Sequence, residues 1–127
     1  MNHLLRPLPV AVIGAGPVGL AAAAHLLERG FAPLVFEAGP SAAASLETFR
    51  HVQLFSPWRY NIDPAARRLL EAAGWIAPAL DTLPTAGEVI DRYLAPLVQR
   101  TAVGSSSSGG DCQAVASSRR RAAGSML

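Results

Sequence analysis

The chain has 127 residues, of which 50% are hydrophobic and 16% are charged, so its length suits one ordinary globular domain. Its formal net charge is +2, and that excess lies entirely in residues 101–127, because residues 1–100 contain as many acidic residues as arginines. The folded part therefore offers no charge excess for nucleic acid or a membrane surface. The single cysteine, Cys112, excludes an internal disulfide, and the three histidines have no metal-ligand spacing, so we expect no metal site. A reducing, cytoplasmic location fits this cysteine content.

An uncharged run begins directly after Arg6 and extends from Pro7 to Ala24. A run of this kind resembles a signal peptide or a membrane span in its hydropathy. Three glycines and a proline within residues 14–19 interrupt it and separate a β-branched piece from an alanine-rich piece. We therefore expect a strand followed by a helix, and no membrane segment.

The first elements predicted along the chain are a strand, a helix and a second strand. Residues 8–13 form a continuous apolar run rich in Val and Ile, which is typical of a buried parallel strand. Residues 17–29 place leucines and alanines on one helical face, with a proline in the first turn and Gly30 as the stop. Residues 33–37 form a second short apolar strand that ends in the carboxylate of Glu37. This order predicts a right-handed βαβ unit with adjacent parallel strands, and hence an α/β, Rossmann-like fold with an incomplete sheet.

Less regular sequence follows between Gly39 and Tyr60, where we expect a loop or a short helix and then an irregular aromatic segment. Asp63 is the expected N-cap of a helix that starts at Pro64 and is terminated by Gly74. These signals predict additional helices after the βαβ unit.

A further helix is predicted from the capping-box pattern of Thr85 and Glu88 through about Gln99. Its apolar face consists of Val89, Ile90, Tyr93, Leu94 and Leu97. Residues 101–127 are rich in serine, glycine and arginine and have no hydrophobic period, so we expect a disordered tail there.

The motif that carries chemistry is Gly-Ala-Gly-Pro-Val-Gly at residues 14–19, which has the spacing GxGxxG. It follows a predicted strand, opens a predicted helix, and precedes Glu37 at the end of the second strand, as a dinucleotide-binding turn requires. Gly14 allows the tight turn, Gly16 leaves room for a pyrophosphate, and Gly19 allows the helix to pack against the strands. The free N–H groups and the helix dipole would stabilise the phosphates.

Glu37 is the expected selectivity residue, because its carboxylate can accept hydrogen bonds from ribose hydroxyls and repels a ribose 2′-phosphate. The site should therefore hold FAD or NAD rather than NADP. The alternative is a glycine-rich turn that binds no ligand, with Glu37 as a surface residue.

Three residues outside the glycine motif are also considered for a role in the site. Trp58 and Arg59 could stack on or neutralise a flavin or a phosphate, or the tryptophan could simply cover the core. His25 is expected to be an ordinary helix residue without a carboxylate partner. The candidate cofactor-binding residues are Gly14, Ala15, Gly16, Pro17, Val18, Gly19, Glu37, Ala38, Trp58 and Arg59. We assign no side chain a catalytic role.

The stretch VAVIGAGPVGLAAAAHLLERGFAPLVFEAG closely resembles the N-terminal FAD-binding segment of flavoproteins with two dinucleotide-binding domains. These include flavin-containing monooxygenases, Baeyer–Villiger monooxygenases and pyridine-nucleotide oxidoreductases. The later stretches LFSPWRYNID and LPTAGEVIDRYLAPL are similar to the monooxygenase-like branch. The resemblance implies FAD in the first site and a bacterial oxidoreductase or monooxygenase with NAD(P)H as co-substrate. In such an enzyme the flavin carries the hydride and oxygen chemistry.

The sequence also departs from that family. A second glycine motif for NAD(P)H and a late Gly-Asp motif are missing, and the loop after Glu37 reads SAAASLETF where the family usually has Gly-Gly and Trp. We therefore expect a partial FAD-binding Rossmann-like domain at residues 1–100 and a disordered or frameshifted tail at 101–127. A truncated or frameshifted gene explains this, and a natural short protein with a disordered tail is the alternative.

The expected function is the FAD-binding portion of an oxidoreductase that is inactive on its own. FAD is the only partner that the sequence indicates. The alternatives are a stand-alone NAD-binding module without catalysis and a non-functional truncated gene product.

Overall fold

The computed structural model describes residues 8–101 and the backbone of residues 113–115. The elements in chain order are β1 (Val10–Ile13), α1 (Pro17–Glu28), β2 (Pro33–Glu37), α2 (Ala44–Glu47), α3 (Trp58–Asn61), α4 (Pro64–Glu71), α5 (Ala86–Val89), a π-helical segment (Ile90–Leu94), α6 (Ala95–Thr101) and β3 (Gln113–Val115). The irregular region predicted between Gly39 and Tyr60 thus contains α2 and the start of α3.

The βαβ unit is present as predicted. β1 and β2 pair in parallel, with Val10 opposite Pro33 and Ile13 opposite Phe36. Helix α1 connects the two strands and contacts both of them. The α/β fold class with an incomplete Rossmann-like sheet is therefore confirmed.

The two faces of β1 have different surroundings. Val12 and Val35 belong to the buried core together with Leu20 of α1. Ile13, the next residue on β1, is 79% exposed. Because neighbouring residues on a strand point to opposite faces, one face of β1 packs against α1, whereas Ala11 and Ile13 on its other face are exposed. The prediction of a buried strand is therefore wrong for one face, since an apolar run does not report how many layers cover it.

A third strand lies within the segment for which we predicted disorder. β3 pairs antiparallel to β2, with Val115 opposite Val35, and the strand order is β1-β2-β3. Backbone pairing does not depend on the side chains, so a serine- and glycine-rich segment can still supply a short strand to an open sheet edge. Of residues 101–127 the structure describes Thr101, which ends α6, and the backbone of β3, and the expectation of a disordered or frameshifted tail stays a prediction. The rest of the predicted tail, residues 102–112 and 116–127, lies outside the described residues.

Helix α1 is central to the packing, because it contacts α4 and α6 as well as both strands. Its buried residues are Leu20, Ala23 and Ala24. On α4, Ala65 and Ala66 are buried in the same core. Small side chains on both helices reduce the distance at which the two axes can pack.

The capping box predicted at the start of the last helical run is confirmed. The Thr85 hydroxyl accepts a hydrogen bond from the Glu88 N–H (3.1 Å), and the Glu88 carboxylate accepts one from the Thr85 N–H (2.8 Å). The run continues to Thr101, slightly beyond the predicted end.

A π-helical segment interrupts this run, and Pro96 provides a physical reason. Proline has no N–H, and its ring excludes the ordinary helical bond to the carbonyl group of Arg92. The Arg92 carbonyl oxygen instead accepts a hydrogen bond from the Trp75 indole N–H (2.8 Å). The Arg92 carbonyl group is therefore paired despite the wider turn, and the free-energy cost of an unpaired carbonyl group is avoided.

Asp63 links α4 to α1. As predicted, it is the N-cap of α4, and its carboxylate accepts a hydrogen bond from the Ala66 N–H (3.0 Å). Gly74, with a φ of +92°, follows the helix as its predicted stop. The other carboxylate oxygen of Asp63 lies 2.9 Å from Nε2 of His25. The prediction that His25 has no carboxylate partner is therefore wrong: the two residues are 38 positions apart and meet only because α4 packs against α1.

These contacts lower the pKa of the Asp63 carboxyl. Partial burial by itself would raise the pKa, but the hydrogen bonds from the Ala66 N–H and from His25 favour the charged form and outweigh it. A carboxyl with a lower pKa in the folded state stabilises the fold above its unfolded pKa of about 3.9. That contribution is lost as the pH falls through the folded pKa.

The substitution Asp63→Asn removes the negative charge but keeps the N-cap, because Asn is about as good an N-cap as Asp. We expect the variant to be less stable than the parent at pH 7 by about 1 kcal/mol, since the charge-assisted hydrogen bonds are lost. The difference should begin to shrink as the pH falls below about 4, the unfolded pKa of the carboxyl, and should be lost as the pH falls through its lower folded pKa. Urea unfolding of both proteins as a function of pH measures this. A difference that stays constant down to the lowest pH would contradict the assignment.

Candidate nucleotide-binding site

The glycine motif forms the turn between β1 and α1. Gly14 has a φ of +98°, a conformation that glycine adopts without strain. Its N–H donates to the carbonyl oxygen of Phe36 (2.7 Å), which holds the turn beside the end of β2. A Cβ at Gly19 would overlap the carbonyl oxygen of Gly14, so the first turn of α1 passes too close to the loop for any side chain. Both glycines therefore have the structural roles that their spacing predicted.

Three backbone N–H groups near the start of α1 are available to a ligand. The first hydrogen bond at this end of the helix runs from the Leu20 N–H to the Gly16 carbonyl oxygen (3.0 Å). The N–H groups of Gly16, Val18 and Gly19 have no partner among the described residues, and Pro17 has no N–H to satisfy. A Cβ at Gly16 would meet nothing within 4 Å. Open space thus adjoins backbone donors at the positive end of a helix dipole, an arrangement that suits a pyrophosphate.

The Glu37 side chain, at the end of β2, contacts the backbone on both sides. Its Oε2 accepts a hydrogen bond from the Ala15 N–H (2.7 Å), and its Oε1 accepts one from the Gly39 N–H (2.9 Å). An ionised carboxylate has about four lone-pair positions, so about two remain for the hydroxyl groups of a ligand. Ala38, the adjacent candidate residue, is exposed.

Ala15 is the point at which three segments meet, and it is fully buried. Its N–H is bound by Glu37, and its carbonyl oxygen accepts a hydrogen bond from the Ala43 N–H (2.8 Å). Ala43 has a φ of +60°, which costs a residue with a Cβ about 1–2 kcal/mol. Such strain persists where surrounding contacts determine the conformation. Sequence reasoning missed Ala43, because nothing in an alanine run marks one member as left-handed.

The two candidates from the aromatic segment occupy different surroundings. Trp58 is 1% exposed and belongs to the core, with the Arg92 guanidinium 5.7 Å from the centre of its ring. Trp58 therefore lies where the second interpretation placed it, as an aromatic residue that covers the core. Arg59 is exposed and forms an ion pair with Asp81.

An open groove of about 550 Å³ runs along the first turn of α1. Its lining includes Pro17 and Val18 from the glycine loop side and Arg59, Tyr60 and Tyr93 from the later helices. Tyr60 is 75% exposed, so it is the accessible aromatic residue of this groove. Sequence reasoning selected Trp58 instead. The larger and more apolar of two nearby aromatic residues is the more probable core residue, and that signal favours Tyr60 at the surface.

Within residues 8–101 and 113–115, no three His, Cys, Asp or Glu side chains are grouped to hold a metal ion. In the same part of the chain, no helix combines the length and the hydropathy that crossing a bilayer requires. Cys112 lies outside the described residues.

A βαβ unit with a glycine turn at the helix start and a carboxylate at the end of the second strand defines a Rossmann-type nucleotide-binding protein. Comparison with protein families narrows this class. The model of the DAO family, described as FAD dependent oxidoreductase, matches residues 9–109, and the chain belongs to this family. Neither a curated protein nor a solved structure matches the chain. The resemblance is thereby confirmed at the level of FAD-dependent oxidoreductases, whereas the monooxygenase-like branch stays a prediction.

Gly19 and Gly16 should respond differently to the same substitution. We expect Gly19→Ala to lower the free energy of unfolding by about 2 kcal/mol or more, because the new Cβ displaces α1 from the Gly14 carbonyl group. Gly16→Ala should change it by less than about 1 kcal/mol, since that Cβ enters open space. Urea unfolding of the two variants beside the parent measures the contrast. Equal losses of stability would show that the close approach at Gly19 is not the constraint.

Proposed function

We propose that the chain binds FAD through the glycine loop and Glu37, with the ADP part of the cofactor at the start of α1. The observation that carries this proposal is the open space beside Gly16, bordered by the N–H groups of Gly16, Val18 and Gly19, which have no partner within the described part of the chain. Membership of the FAD-dependent oxidoreductase family supports FAD as the ligand.

The pyrophosphate would be held by backbone groups. A hydrogen bond from an N–H to an anionic oxygen is charge-assisted, and the helix dipole adds roughly half a positive charge at this end of α1. Ala15 and Pro17 contribute through the conformation of the loop rather than through a polar side chain. Binding of this kind depends on the open space that Gly16 leaves by having no side chain. It does not depend on a particular polar side chain in the loop.

The adenosine ribose would be held by Glu37. Its remaining lone pairs can accept hydrogen bonds from two ribose hydroxyl groups while the backbone N–H groups stay bound. A 2′-phosphate at the same place would bring two anionic groups into contact, so the site favours FAD or NAD over NADP. The exposed Ala38 leaves this end of the sheet accessible to the nucleoside.

The more specific activity that we assign is oxygen chemistry with NAD(P)H as co-substrate, in an enzyme of which this chain forms the FAD-binding portion. When bound, FAD supplies the hydride and oxygen chemistry. The similarity of residues 54–63 and 83–97 to the monooxygenase-like branch supports this assignment, and both stretches contribute to the groove along α1. In this proposal Arg59 would neutralise an anionic part of the cofactor there, and Trp58 would support α3 from the core.

An NAD-binding module without catalysis is the second candidate function. The same loop and the same carboxylate suit the ADP part of NAD equally well, because FAD and NAD share that part. Flavin absorbance of the purified protein separates the two candidates.

Gly16→Val tests the phosphate site. We expect binding of ADP and of FAD to weaken at least tenfold, because the branched side chain would fill the space of the pyrophosphate. Titration calorimetry measures the affinities, and circular dichroism checks that the variant folds. Ala73→Val, at an exposed position after α4, is the matched control and should bind as the parent does. Unchanged affinity in Gly16→Val would remove the loop from the site, and binding of NAD without FAD would favour the second candidate.

The 127-residue chain by itself should show no NAD(P)H oxidase or monooxygenase activity, even with added FAD. The sequence contains one GxGxxG motif, and the site that it forms accounts only for the ADP part of a cofactor. Hydride transfer needs the flavin and nicotinamide rings in contact, and a misplacement of about 1 Å can cost roughly a hundredfold in rate. NADPH consumption at an ordinary flavoenzyme rate by the purified protein would contradict this expectation and indicate a minimal flavoenzyme.

A further inference from the structure

Two consecutive peptide groups meet at Ala15, and each is held at one end. The first contains the Gly14 carbonyl group and the Ala15 N–H, and that N–H donates to Glu37 (2.7 Å). The second contains the Ala15 carbonyl group and the Gly16 N–H, and its carbonyl oxygen accepts from the Ala43 N–H (2.8 Å). We call Ala15, Glu37, Gly39 and Ala43 the Ala15 junction.

A planar trans peptide group transmits orientation from one end to the other. No cis peptide bond occurs within the described residues, so the carbonyl oxygen and the N–H of each peptide group point in opposite directions. Holding the Ala15 carbonyl group toward Ala43 therefore turns the Gly16 N–H away from Ala43. That N–H is one of the three at the start of α1 that adjoin the open space and have no partner in residues 8–101.

The surroundings of Glu37 keep its carboxylate in place. Oε1 accepts from the Gly39 N–H (2.9 Å). A Cβ at Gly39 would lie 2.9 Å from the Ala44 Cβ and 3.3 Å from Oε1 of Glu37, so the backbone passes tightly against the side chain. The positive φ of Ala43 on the other side indicates that the fold maintains the junction against local strain.

We infer that Glu37 is a positioning residue for the glycine loop as well as the acceptor for the ribose. With Ala43, it orients the peptide groups on both sides of Ala15 before a nucleotide binds, so that the Gly16 N–H faces the phosphates. The two halves of the ADP site are thereby coupled through one carboxylate. This inference rests on the proposed function for its ligand, but the junction itself can be tested without one.

The coupling predicts an effect opposite to that of simple electrostatics. If Glu37 acted only at the ribose, removing its negative charge would leave the affinity for inorganic pyrophosphate unchanged or raise it. If Glu37 positions the loop, its removal lowers the affinity for pyrophosphate, although pyrophosphate has no ribose. Inorganic pyrophosphate is therefore the informative probe.

The first experiment uses the ligand-free protein and measures amide hydrogen exchange by NMR in the parent, Glu37→Ala and Glu37→Gln. We expect the Ala15 and Gly39 amides to exchange at least tenfold faster in Glu37→Ala. Glu37→Gln should be intermediate, because its amide oxygen can still accept one of the two hydrogen bonds. Unchanged protection of Ala15 in Glu37→Ala would overturn the inference whatever the protein binds.

The second experiment titrates the same proteins with inorganic pyrophosphate and with adenosine. We expect Glu37→Ala to bind pyrophosphate at least threefold more weakly than the parent and Glu37→Gln to recover part of the loss. Glu71→Ala, an exposed site at the end of α4 with the same change of charge, is the control and should bind as the parent does. Equal or tighter pyrophosphate binding in Glu37→Ala would restrict Glu37 to the ribose. A parent that binds neither probe would overturn the proposed function, with the exchange result still deciding the role of the junction.

Discussion

The close passage of α1 over the glycine loop is the constraint on which the rest of the structure depends. At Gly19 there is no room for a Cβ beside the Gly14 carbonyl oxygen, and only three residues separate the end of β1 from the start of α1. This position places the first N–H groups of α1 at the carboxyl end of the strand pair, where ligands of open α/β sheets bind. It also places Leu20 in the core. Helices α4 and α6 pack against α1. The position of one glycine therefore affects both the site and the hydrophobic core.

Local signals in the sequence predicted the elements that local forces form. Asp63 binds an N–H three residues away, and Thr85 and Glu88 cap each other across a single turn. The six-residue glycine motif likewise determines the short turn of residues 14–16 and the first turn of α1. In each case the signal and the group on which it acts are close in sequence, so the prediction needs no knowledge of how the chain packs. The βαβ unit and the two capped helices followed from such signals.

The remaining features depend on pairs that are far apart in sequence. His25 and Asp63 meet because two helices pack, and Glu37 reaches the Ala15 N–H over 22 residues. The exposure of Ile13 depends on which layers cover the sheet, and the pairing of β3 depends on an open edge rather than on its own side chains. Composition and periodicity contain no information on these contacts. The candidate site was therefore predictable in its residue types and loop position, but not in the hydrogen bonds that orient the loop.

A site made mainly from backbone groups places few demands on sequence. At the start of α1 the donors are N–H groups, which any residue other than proline has, and the glycines matter because they lack a Cβ. Glu37 is the polar side chain proposed to bind the ribose, and its two backbone hydrogen bonds also make it part of the glycine loop. Ala15 and Ala43 act through main-chain atoms, so other small residues could replace them where the backbone conformation allows. The sequence elsewhere in the chain can therefore diverge extensively. The glycine spacing and the Glu37 carboxylate at the end of β2 would be retained, because the backbone geometry requires them.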